Sequence, residues 1–237
     1  MSLRAFTLLV CSLFLCLPAK SAPAVLLKQK SEMMGFTNLL YSKDGIRLEL
    51  LDLNQVILMR PPRWQIQYGN ANTKVYWEGA ALDFKTNFTT SCSMFRPGDP
   101  STMKVTTATS DKIKGLDCKK YLLVGQNYGS SKELHTWQRL MVREGKLWMI
   151  EATGLPLANS RVLNKCFGAS VAPGVPMRMV VINNTGTENI EFDVGKCEHK
   201  EASPADFKVP STYKKVDKQE KVNNFKGTTE EFAEIFK

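Results

Sequence analysis

The chain has 237 residues, of which 43% are hydrophobic, 9% aromatic and 23% charged. This composition excludes collagen-like and intrinsically disordered proteins and is typical of a globular domain with one sizeable core. The 32 Lys and Arg residues outnumber the 23 Asp and Glu residues, which gives a formal net charge of +9. No dense basic cluster precedes the C-terminal region, so this charge predicts solubility and not nucleic-acid binding.

The first residues have the pattern of a secretory signal peptide. Arg4 provides a positive start, residues 5–17 form an almost continuous apolar run, and small residues follow it, as export signals require. We predict a signal at residues 1–21, with cleavage after Ser21 or, as the alternative, after Ala24. The apolar run is shorter than the roughly 20 residues that span a membrane. We therefore expect an exported protein, periplasmic or extracellular, that is not integral to a membrane.

The segment after the signal is predicted to begin with a helix and to continue as strands. Residues 25–34 mix apolar and basic side chains, which favours a short leading helix. After the turn signal Asp44-Gly45, apolar and polar residues alternate with a period of two, which is typical of strands with one buried face. The two prolines between Arg60 and Arg63 end ladder pairing and predict a corner. The strands expected here cover residues 46–50, 56–59, 64–68 and 74–78.

The middle of the chain combines a long loop with further strands. Residues 85–102 follow neither the helical nor the strand period, so we predict a long loop, which contains Cys92. Turn signals that contain glycine then separate segments of strand-like alternation. The strands expected here cover residues 103–113, 117–124, 133–142 and 146–151.

One amphipathic helix interrupts the strand pattern late in the chain. Leu155, Ala158, Val162 and Cys166 recur at helical spacing, and Gly168 provides a stop signal. A hairpin, a closing segment with two prolines and a lysine-rich tail follow, and the tail ends in a helix too short to be stable alone in water. These parts cover residues 177–183 and 188–197, residues 203–213, and residues 217–237 with the helix at residues 228–236.

Many short antiparallel strands with one helix between the late strands indicate the α+β class. We predict a strongly curved antiparallel sheet of about eight to ten strands wrapped around one main α-helix. The predicted divisions are the signal at residues 1–21, one domain at residues 25–216 and the polar tail at residues 217–237.

Four cysteines remain after the signal, and an even number predicts two disulfides in an exported chain. Three pairings are possible, and the sequence does not choose among them. We favour the sequential pairing, Cys92 with Cys118 and Cys166 with Cys197, because it closes short loops. No Cys-x-x-Cys pair occurs, so we expect no zinc or other metal site.

The sequence lacks the motifs of several common enzyme classes. It contains no G-x-S-x-G elbow, no G-x-x-x-x-G-K-[ST] phosphate loop and no G-x-G-x-x-G dinucleotide loop. His135 and His199 are the only histidines, and neither stands in a pattern that indicates a catalytic dyad. We therefore expect a protein that is not an enzyme and that binds no cofactor.

Several segments, taken in order, resemble exported bacterial proteins related to the outer-membrane lipoprotein carrier fold. The resemblance covers residues 36–216, and the tail from Asp217 and the cysteines beyond Cys118 depart from it. Many members of this group have no known function, so the resemblance implies a fold more than an activity. The segments that carry it are SKDGIRL at 42–48, PRW at 62–64, KGLDCKKY at 114–121, GVPMRM at 174–179 and ADFKVPSTYKKV at 205–216.

The resemblance implies an unclosed β-barrel whose hydrophobic concave side shelters the acyl chains of a lipid or lipoprotein. Each buried methylene would stabilise such a complex by roughly 0.8 kcal/mol. Arg60 and Arg63 are candidates for contact with a headgroup, because paired arginines bind phosphate or carboxylate oxygens. The alternatives are that the groove side chains fill the core and that the arginines form a solvated turn. The predicted groove residues are Trp64, Tyr76, Trp137, Trp148, Leu163 and Phe167.

These observations favour a non-enzymatic periplasmic or secreted binding protein that carries or senses a lipidic ligand in a concave hydrophobic groove. The alternative is a cell-envelope protein-interaction module with no small-molecule ligand. Such a module would bind an envelope protein partner through the loop near Cys92 or through the tail helix.

Overall fold

The structure is a computed structural model, and it describes residues 21–85, 103–125, 127–128, 135–152, 154–169 and 172–222. The predicted signal peptide, nearly all of the predicted loop at residues 85–102 and the predicted helix at residues 228–236 lie outside these ranges. The same holds for Cys92 and for the side chain of Trp137.

Twelve strands and two helices form the described part of the chain. The strands are β1 (Ala22–Ser31), β2 (Gly35–Ser42), β3 (Gly45–Leu50), β4 (Gln55–Met59), β5 (Ile66–Asn70), β6 (Val75–Gly79), β7 (Lys104–Ile113), β8 (Leu116–Val124), β9 (Val142–Ile150), β10 (Val175–Asn183), β11 (Glu188–Ala202) and β12 (Lys214–Val216). The helices are α1 (Thr136–Leu140) and α2 (Leu157–Cys166), and a 3-10 turn covers Gln219–Lys221. Neither helix is long and apolar enough to cross a membrane.

All twelve strands belong to one sheet that does not close on itself. The strand order is β12-β6-β5-β4-β3-β2-β1-β11-β10-β9-β8-β7. Neighbouring strands are antiparallel, except that β12 runs parallel to β6. This architecture confirms the predicted open, mostly antiparallel sheet with one main helix, although the sheet has more strands than expected and the helix is short.

The predicted leading helix at residues 25–34 is wrong, because this segment is strand β1 at the centre of the sheet. It pairs with β2 on one side and with β11 on the other. Leu27 and Gln29 are buried, whereas Lys28 and Lys30 between and beyond them are exposed. This period of two places the lysines on the opposite face from the core.

The predicted strand at residues 133–142 is also wrong at Thr136–Leu140, where the structure has helix α1. His135 caps this helix, and its backbone N–H donates to Oε1 of Gln138 at 2.9 Å. This capping box satisfies backbone groups of the first turn, so a single helical turn forms before β9 begins at Val142.

Helix α2 lies against one face of the sheet, which we call the inner face, and its contacts show that the sheet curves. Asn159 Nδ2 donates to the backbone oxygen of Trp64 at 2.7 Å and lies 3.5 Å from Sδ of Met59 in β4. The next residue, Ser160, exchanges two hydrogen bonds with the backbone of Gly174, directly before β10. Strands β4 and β10 are five positions apart, which corresponds to about 24 Å in a flat sheet. Adjacent residues of one helix contact both strands because the sheet bends around the helix.

The predicted main helix is confirmed within residues 155–167, and its end has a physical cause. Gly168 has φ +63°, a left-handed conformation that glycine adopts without a steric penalty and that commonly ends helices. The backbone N–H of Gly168 donates to the carbonyl oxygen of Lys165 at 3.1 Å, which satisfies a carbonyl group of the last turn.

The inner face carries one continuous core. Tyr68 packs edge-to-face on Phe84 with ring centroids 5.4 Å apart, and Phe167 packs on Phe192 at 4.9 Å. One row of side chains crosses six neighbouring strands in register, and every member is buried. The row consists of Leu27, Leu39, Leu48, Ile57, Tyr68 and Trp77.

The predicted disulfide between Cys166 and Cys197 is not present, and Cys92, the predicted partner of Cys118, lies outside the described residues. Cys118, Cys166 and Cys197 are free thiols. Cys166 lies close enough to Tyr68 of β5 to influence its pKa, whereas Cys197 belongs to β11, five positions from β5 in the sheet. Cys118 instead contacts the backbone oxygen of Asp111 through its thiol at 3.5 Å.

Thiol labelling of the folded protein is expected to modify Cys197 well before Cys166. Burial raises the pKa of both thiols, and the thiolate is the reactive form, but Cys166 is completely buried while Cys197 is half-exposed. Peptide mapping by mass spectrometry after brief labelling measures the order, with the protein in concentrated guanidinium as the control in which both react. A peptide that joins Cys166 to Cys197 in the unreduced digest would contradict the structure.

Candidate functional site

The inner-face members of the predicted groove are packed against the core. Leu163 is 0% exposed and Phe167 is 1% exposed, and both belong to the main hydrophobic cluster. Trp64 is half-buried and packs against the same cluster. These three side chains therefore pack against the core between the sheet and α2, as in the alternative in which the groove residues form the core.

Two further groove candidates point to the opposite face, which we call the outer face. The first is Tyr76, which stands opposite Gly69 in the β5–β6 pair, while its neighbour Trp77 stands opposite the core residue Tyr68. Successive residues of a strand point to opposite faces, so the side chain of Tyr76 lies on the outer face, where it is half-buried.

Trp148 also lies on the outer face, where its indole N–H has a hydrogen-bond acceptor and its ring has two cationic neighbours. Its indole Nε1 donates to Oδ2 of Asp111 at 2.8 Å, which is the main cause of the lowered pKa of that carboxyl group. Nζ of Lys120 and Cζ of Arg178 lie 5.7 and 5.8 Å from its ring centroid, distances typical of cation–π contacts. Its neighbour Leu147 points into the core. The side chain of Trp148 thus lies on the opposite face of the sheet from the groove candidates on α2, although it still contacts the main hydrophobic cluster.

The two predicted headgroup contacts, in contrast, come together at one pocket. The backbone N–H of Trp64 donates to the carbonyl oxygen of Arg60 at 2.9 Å, and this turn brings Arg60 and Arg63 to the same corner of the sheet. A cavity of about 400 Å³, which we call the corner pocket, opens there on the outer face. It is lined by Leu58, Arg60, Pro61, Pro62, Arg63, Gln65, Gln67 and Glu78.

The backbone beside the corner pocket is strained at Trp64, and a side chain of helix α2 fixes it by a hydrogen bond. Trp64 has φ +52°, a left-handed conformation that costs a bulky residue about 1–3 kcal/mol. The side chain of Asn159 on α2 fixes this residue through the hydrogen bond to its backbone oxygen. Strain of this kind is often found at binding sites, and here it sets the positions of Arg63 and Gln65 on either side of Trp64.

The corner pocket carries an excess of positive charge. Its one carboxylate, Glu78, accepts a hydrogen bond from Gln67 at 2.9 Å, which is the main cause of its lowered pKa, and Lys215 and Arg60 lower that pKa further. Nζ of Lys215 lies 3.4 Å from Oε1 of Glu78. Because Lys215 compensates the charge of Glu78, the positive charges of Arg60 and Arg63 remain available to an anion.

A segment that crosses the outer face forms a second feature of the site. Residues 203–213, which we call the strap, run from the end of β11 to β12 at the far edge of the sheet. Near one end, Phe207 is fully buried against Ala24, Ala202 and Leu40. At the other end, the ring of Tyr213 covers Gly69, where a Cβ atom would lie 3.3 Å from Cε2 of the tyrosine.

Two cavities border the strap. One, of about 200 Å³, lies between the strap and the β3–β4 hairpin, and we call it the groove under the strap. The other, of about 430 Å³, lies beside Asp206, whose backbone oxygen accepts a hydrogen bond from Nη1 of Arg47 at 3.2 Å. The groove under the strap is lined by Arg47, Glu49, Leu50, Leu51, Asn54, Gln55, Val56, Leu58, Ala71, Pro210 and Tyr213.

The arginine pair was identifiable in the sequence, but the strap was not. Residues 205–213 carry part of the family resemblance, yet their pattern predicts only that they close the domain. The signal that could have indicated a crossing segment is the pair of aromatic residues, Phe207 and Tyr213, in a stretch without strand or helix periodicity. Such anchors are typical of irregular chain that packs on a sheet.

Comparison with known proteins finds no matching family model and no matching curated protein. Among solved structures, the chain is similar to an uncharacterized conserved protein from Thermus thermophilus, with 9% identity, 83% of this chain and 90% of that chain covered, and a TM-score of 0.32. It is also similar to a LolA superfamily protein from Nitrosomonas europaea, with 10% identity, 86% of this chain and 97% of that chain covered, and a TM-score of 0.26.

Proposed function

We propose that the protein is an exported, non-enzymatic binding protein that holds the anionic headgroup of a lipidic ligand in the corner pocket. The observation that carries this proposal is that Arg60 and Arg63, the two predicted headgroup contacts, line one cavity of about 400 Å³. That volume lies in the range of small-molecule pockets, which is about 300–1,000 Å³.

The chemistry of the corner pocket suits a phosphate or carboxylate group attached to an apolar body. A guanidinium group presents its donors in a planar fork that matches such oxygens, and the pocket offers two of them. The amides of Gln65 and Gln67 provide further polar contacts, whereas Leu58 and the two prolines provide apolar walls. The packed inner face offers no comparable combination among the described residues.

The same lining supports a binding role over a catalytic one. Among the described residues around the corner pocket there is no histidine, cysteine or serine. Its single carboxyl group, Glu78, has a lowered pKa, so it is ionised at neutral pH and is a poor general acid.

The direct test replaces both arginines with glutamine in the delipidated protein. Isothermal titration with octyl phosphate and with octanoate distinguishes a phosphate headgroup from a carboxylate headgroup. We expect the variant Arg60→Gln/Arg63→Gln to bind the preferred ligand up to about 30-fold more weakly, because both arginines are exposed and interactions of exposed charges contribute up to about 1 kcal/mol each. Arg161→Gln, on the exposed side of α2, is the matched control and should bind normally. Equal binding by the double variant, or no binding of either ligand by the native protein, would overturn the proposal.

Replacing Glu78 by glutamine is expected to strengthen the binding of an anionic ligand about threefold. The change removes the one negative charge of the corner pocket, and interactions of exposed charges contribute about 0.2–1 kcal/mol. The amide keeps the shape of the side chain, and its oxygen can still accept the hydrogen bond from Gln67. Titration at two salt concentrations measures the effect, which should shrink at high salt. Weaker binding by Glu78→Gln would show that the carboxylate contacts the ligand directly.

A further inference from the structure

We infer that the apolar tail of the ligand lies in the groove under the strap, on the outer face of the sheet, and not between the sheet and α2. This inference rests on the proposed function, since it places the tail of the amphiphile whose headgroup occupies the corner pocket. It differs from the sequence-based expectation, which places acyl chains on the concave side.

The corner pocket and the groove under the strap are neighbours on the outer face. Leu58 lines both cavities. Its partners across the ladder are Gln67 on the side of the corner pocket and Arg47 on the side of β3. The two cavities therefore lie on either side of Leu58, whose side chain is 1% exposed, and a ligand with its headgroup at Arg60 and Arg63 would pass over this position to reach the groove.

The groove under the strap offers the apolar surface that a hydrocarbon tail needs. Leu51 is 45% exposed at its edge, and Val56, Ala71, Pro210 and Tyr213 provide further apolar surface. Contact with such side chains favours an alkyl chain over water. The outer face thus changes from two arginines at the corner pocket to a groove with a larger share of apolar surface, in which the charges of Arg47 and Glu49 compensate each other as an ion pair.

The strap is a wall anchored at its two ends. Phe207 is fully buried near one end, and Tyr213 covers Gly69 at the other. Between these anchors, Pro210 and the residues that follow it are exposed. The strap therefore defines one side of the groove while leaving the groove accessible from solvent.

The competing location is the space between the sheet and α2, and among the described residues the side chains there are packed against one another. Leu163, Phe167 and Met177 are buried there against the row of core side chains. An alkyl chain would have to displace packed side chains to enter, whereas the groove under the strap is open in the structure.

A chain-length series tests the inference separately from the proposed function. Isothermal titration compares inorganic phosphate, butyl phosphate and octyl phosphate, all as monomers in solution. Complete burial of a methylene strengthens binding about fourfold, so half-burial in an open groove gives about twofold. We expect octyl phosphate to bind about 16-fold more tightly than butyl phosphate, which corresponds to about twofold for each of its additional methylenes.

A groove variant locates the tail. Leu51→Asn removes apolar surface at the edge of the groove, and because Leu51 is partly exposed the fold should persist, which its melting temperature verifies. Leu82→Asn is the matched control, since Leu82 is 81% exposed and does not line the groove. We expect Leu51→Asn to lose about fivefold in affinity for octyl phosphate and to keep the affinity for inorganic phosphate, while Leu82→Asn loses neither.

The results separate failure of the tail inference from failure of the proposed function. If phosphate binds through the arginines and affinity is independent of chain length, the tail inference is wrong and the proposed headgroup site stands. If affinity rises with chain length equally in Leu51→Asn and in the native protein, the tail lies elsewhere and the inference is again wrong. If neither phosphate nor any alkyl phosphate binds, the proposed function fails and the inference fails with it.

Discussion

Replacing Leu163 by alanine is expected to lower the free energy of unfolding by about 3–5 kcal/mol, the range of leucine-to-alanine changes at sites that cannot collapse. Leu163 is 0% exposed within α2 and belongs to the main hydrophobic cluster. Because Asn159 and Ser160 tie the helix to both sides of the sheet, the surrounding side chains cannot move in to fill the cavity. Urea titration followed by circular dichroism measures the change.

The same substitution distinguishes a packed interior from an open lipid groove. If Leu163 lined an empty recess, its replacement would cost less than about 1 kcal/mol, because little contact would be lost. Leu157→Ala is the matched control on the same helix, where Leu157 is exposed, and surface substitutions of this kind stay within about 0.5 kcal/mol. Equal small effects at the two positions would contradict the packed inner face.

Replacing Phe207 by alanine is expected to destabilise the protein by about 3–5 kcal/mol and to weaken the binding of octyl phosphate. Phe207 is completely buried in a small cluster of its own with Ala24, Ala202 and Leu40. Its ring also occupies the space above Gly45, where a Cβ atom would lie 2.9 Å from the ring. The main core does not include this residue, so the loss reports on the attachment of the strap.

The control for Phe207→Ala is Phe36→Ala, because Phe36 is exposed on β2, where its ring lies near Lys30. Unfolding by urea gives the stability of both variants, and titration with octyl phosphate and inorganic phosphate gives their affinities. We expect Phe207→Ala to bind inorganic phosphate normally, since no residue of the strap lines the corner pocket. Unchanged affinity for octyl phosphate in this variant would mean that the strap does not form a wall of the site.

Much of the fold follows from local patterns in the sequence. The alternation after the turn signal at Asp44-Gly45 predicts β3, and the helical spacing of Val162 and Cys166 predicts α2. The hairpin of β10 and β11 is confirmed for the same reason. These elements are predictable because the period of their apolar residues agrees with the geometry of the element.

Other elements were mispredicted because long-range pairing or a cap decided them. Strand β1 contains Lys28 and Lys30 near its end. In so short a segment, two basic residues beside apolar ones are also compatible with the polar side of an amphipathic helix. Its partners β2 and β11, the latter far along the chain, determine its state. Helix α1 depends on the reciprocal contact between His135 and Gln138, which composition does not reveal.

The arginine pair of the candidate site can be predicted from the sequence, but the strap cannot. The chemistry of Arg60 and Arg63 indicates an anion contact, and the turn between them explains why they share a pocket. The face on which an aromatic residue lies depends on whether its position in the strand is odd or even. In β6 and β9 large apolar residues are adjacent, so the sequence does not show which of them faces the core. Tyr76 and Trp148 were therefore assigned to the inner face, and the strap was missed because its anchors are set by tertiary packing.

A photoreactive ligand would locate the tail on the molecule most directly. An alkyl phosphate with a diazirine at the end of its chain is bound to the delipidated protein, irradiated and located by peptide mapping, with Arg60→Gln/Arg63→Gln as the control that should lose the signal. We predict adducts on the outer face, within the groove under the strap, at Leu51, Pro210 or Tyr213. Adducts on the inner face, at Leu163 or Phe167, would contradict this placement.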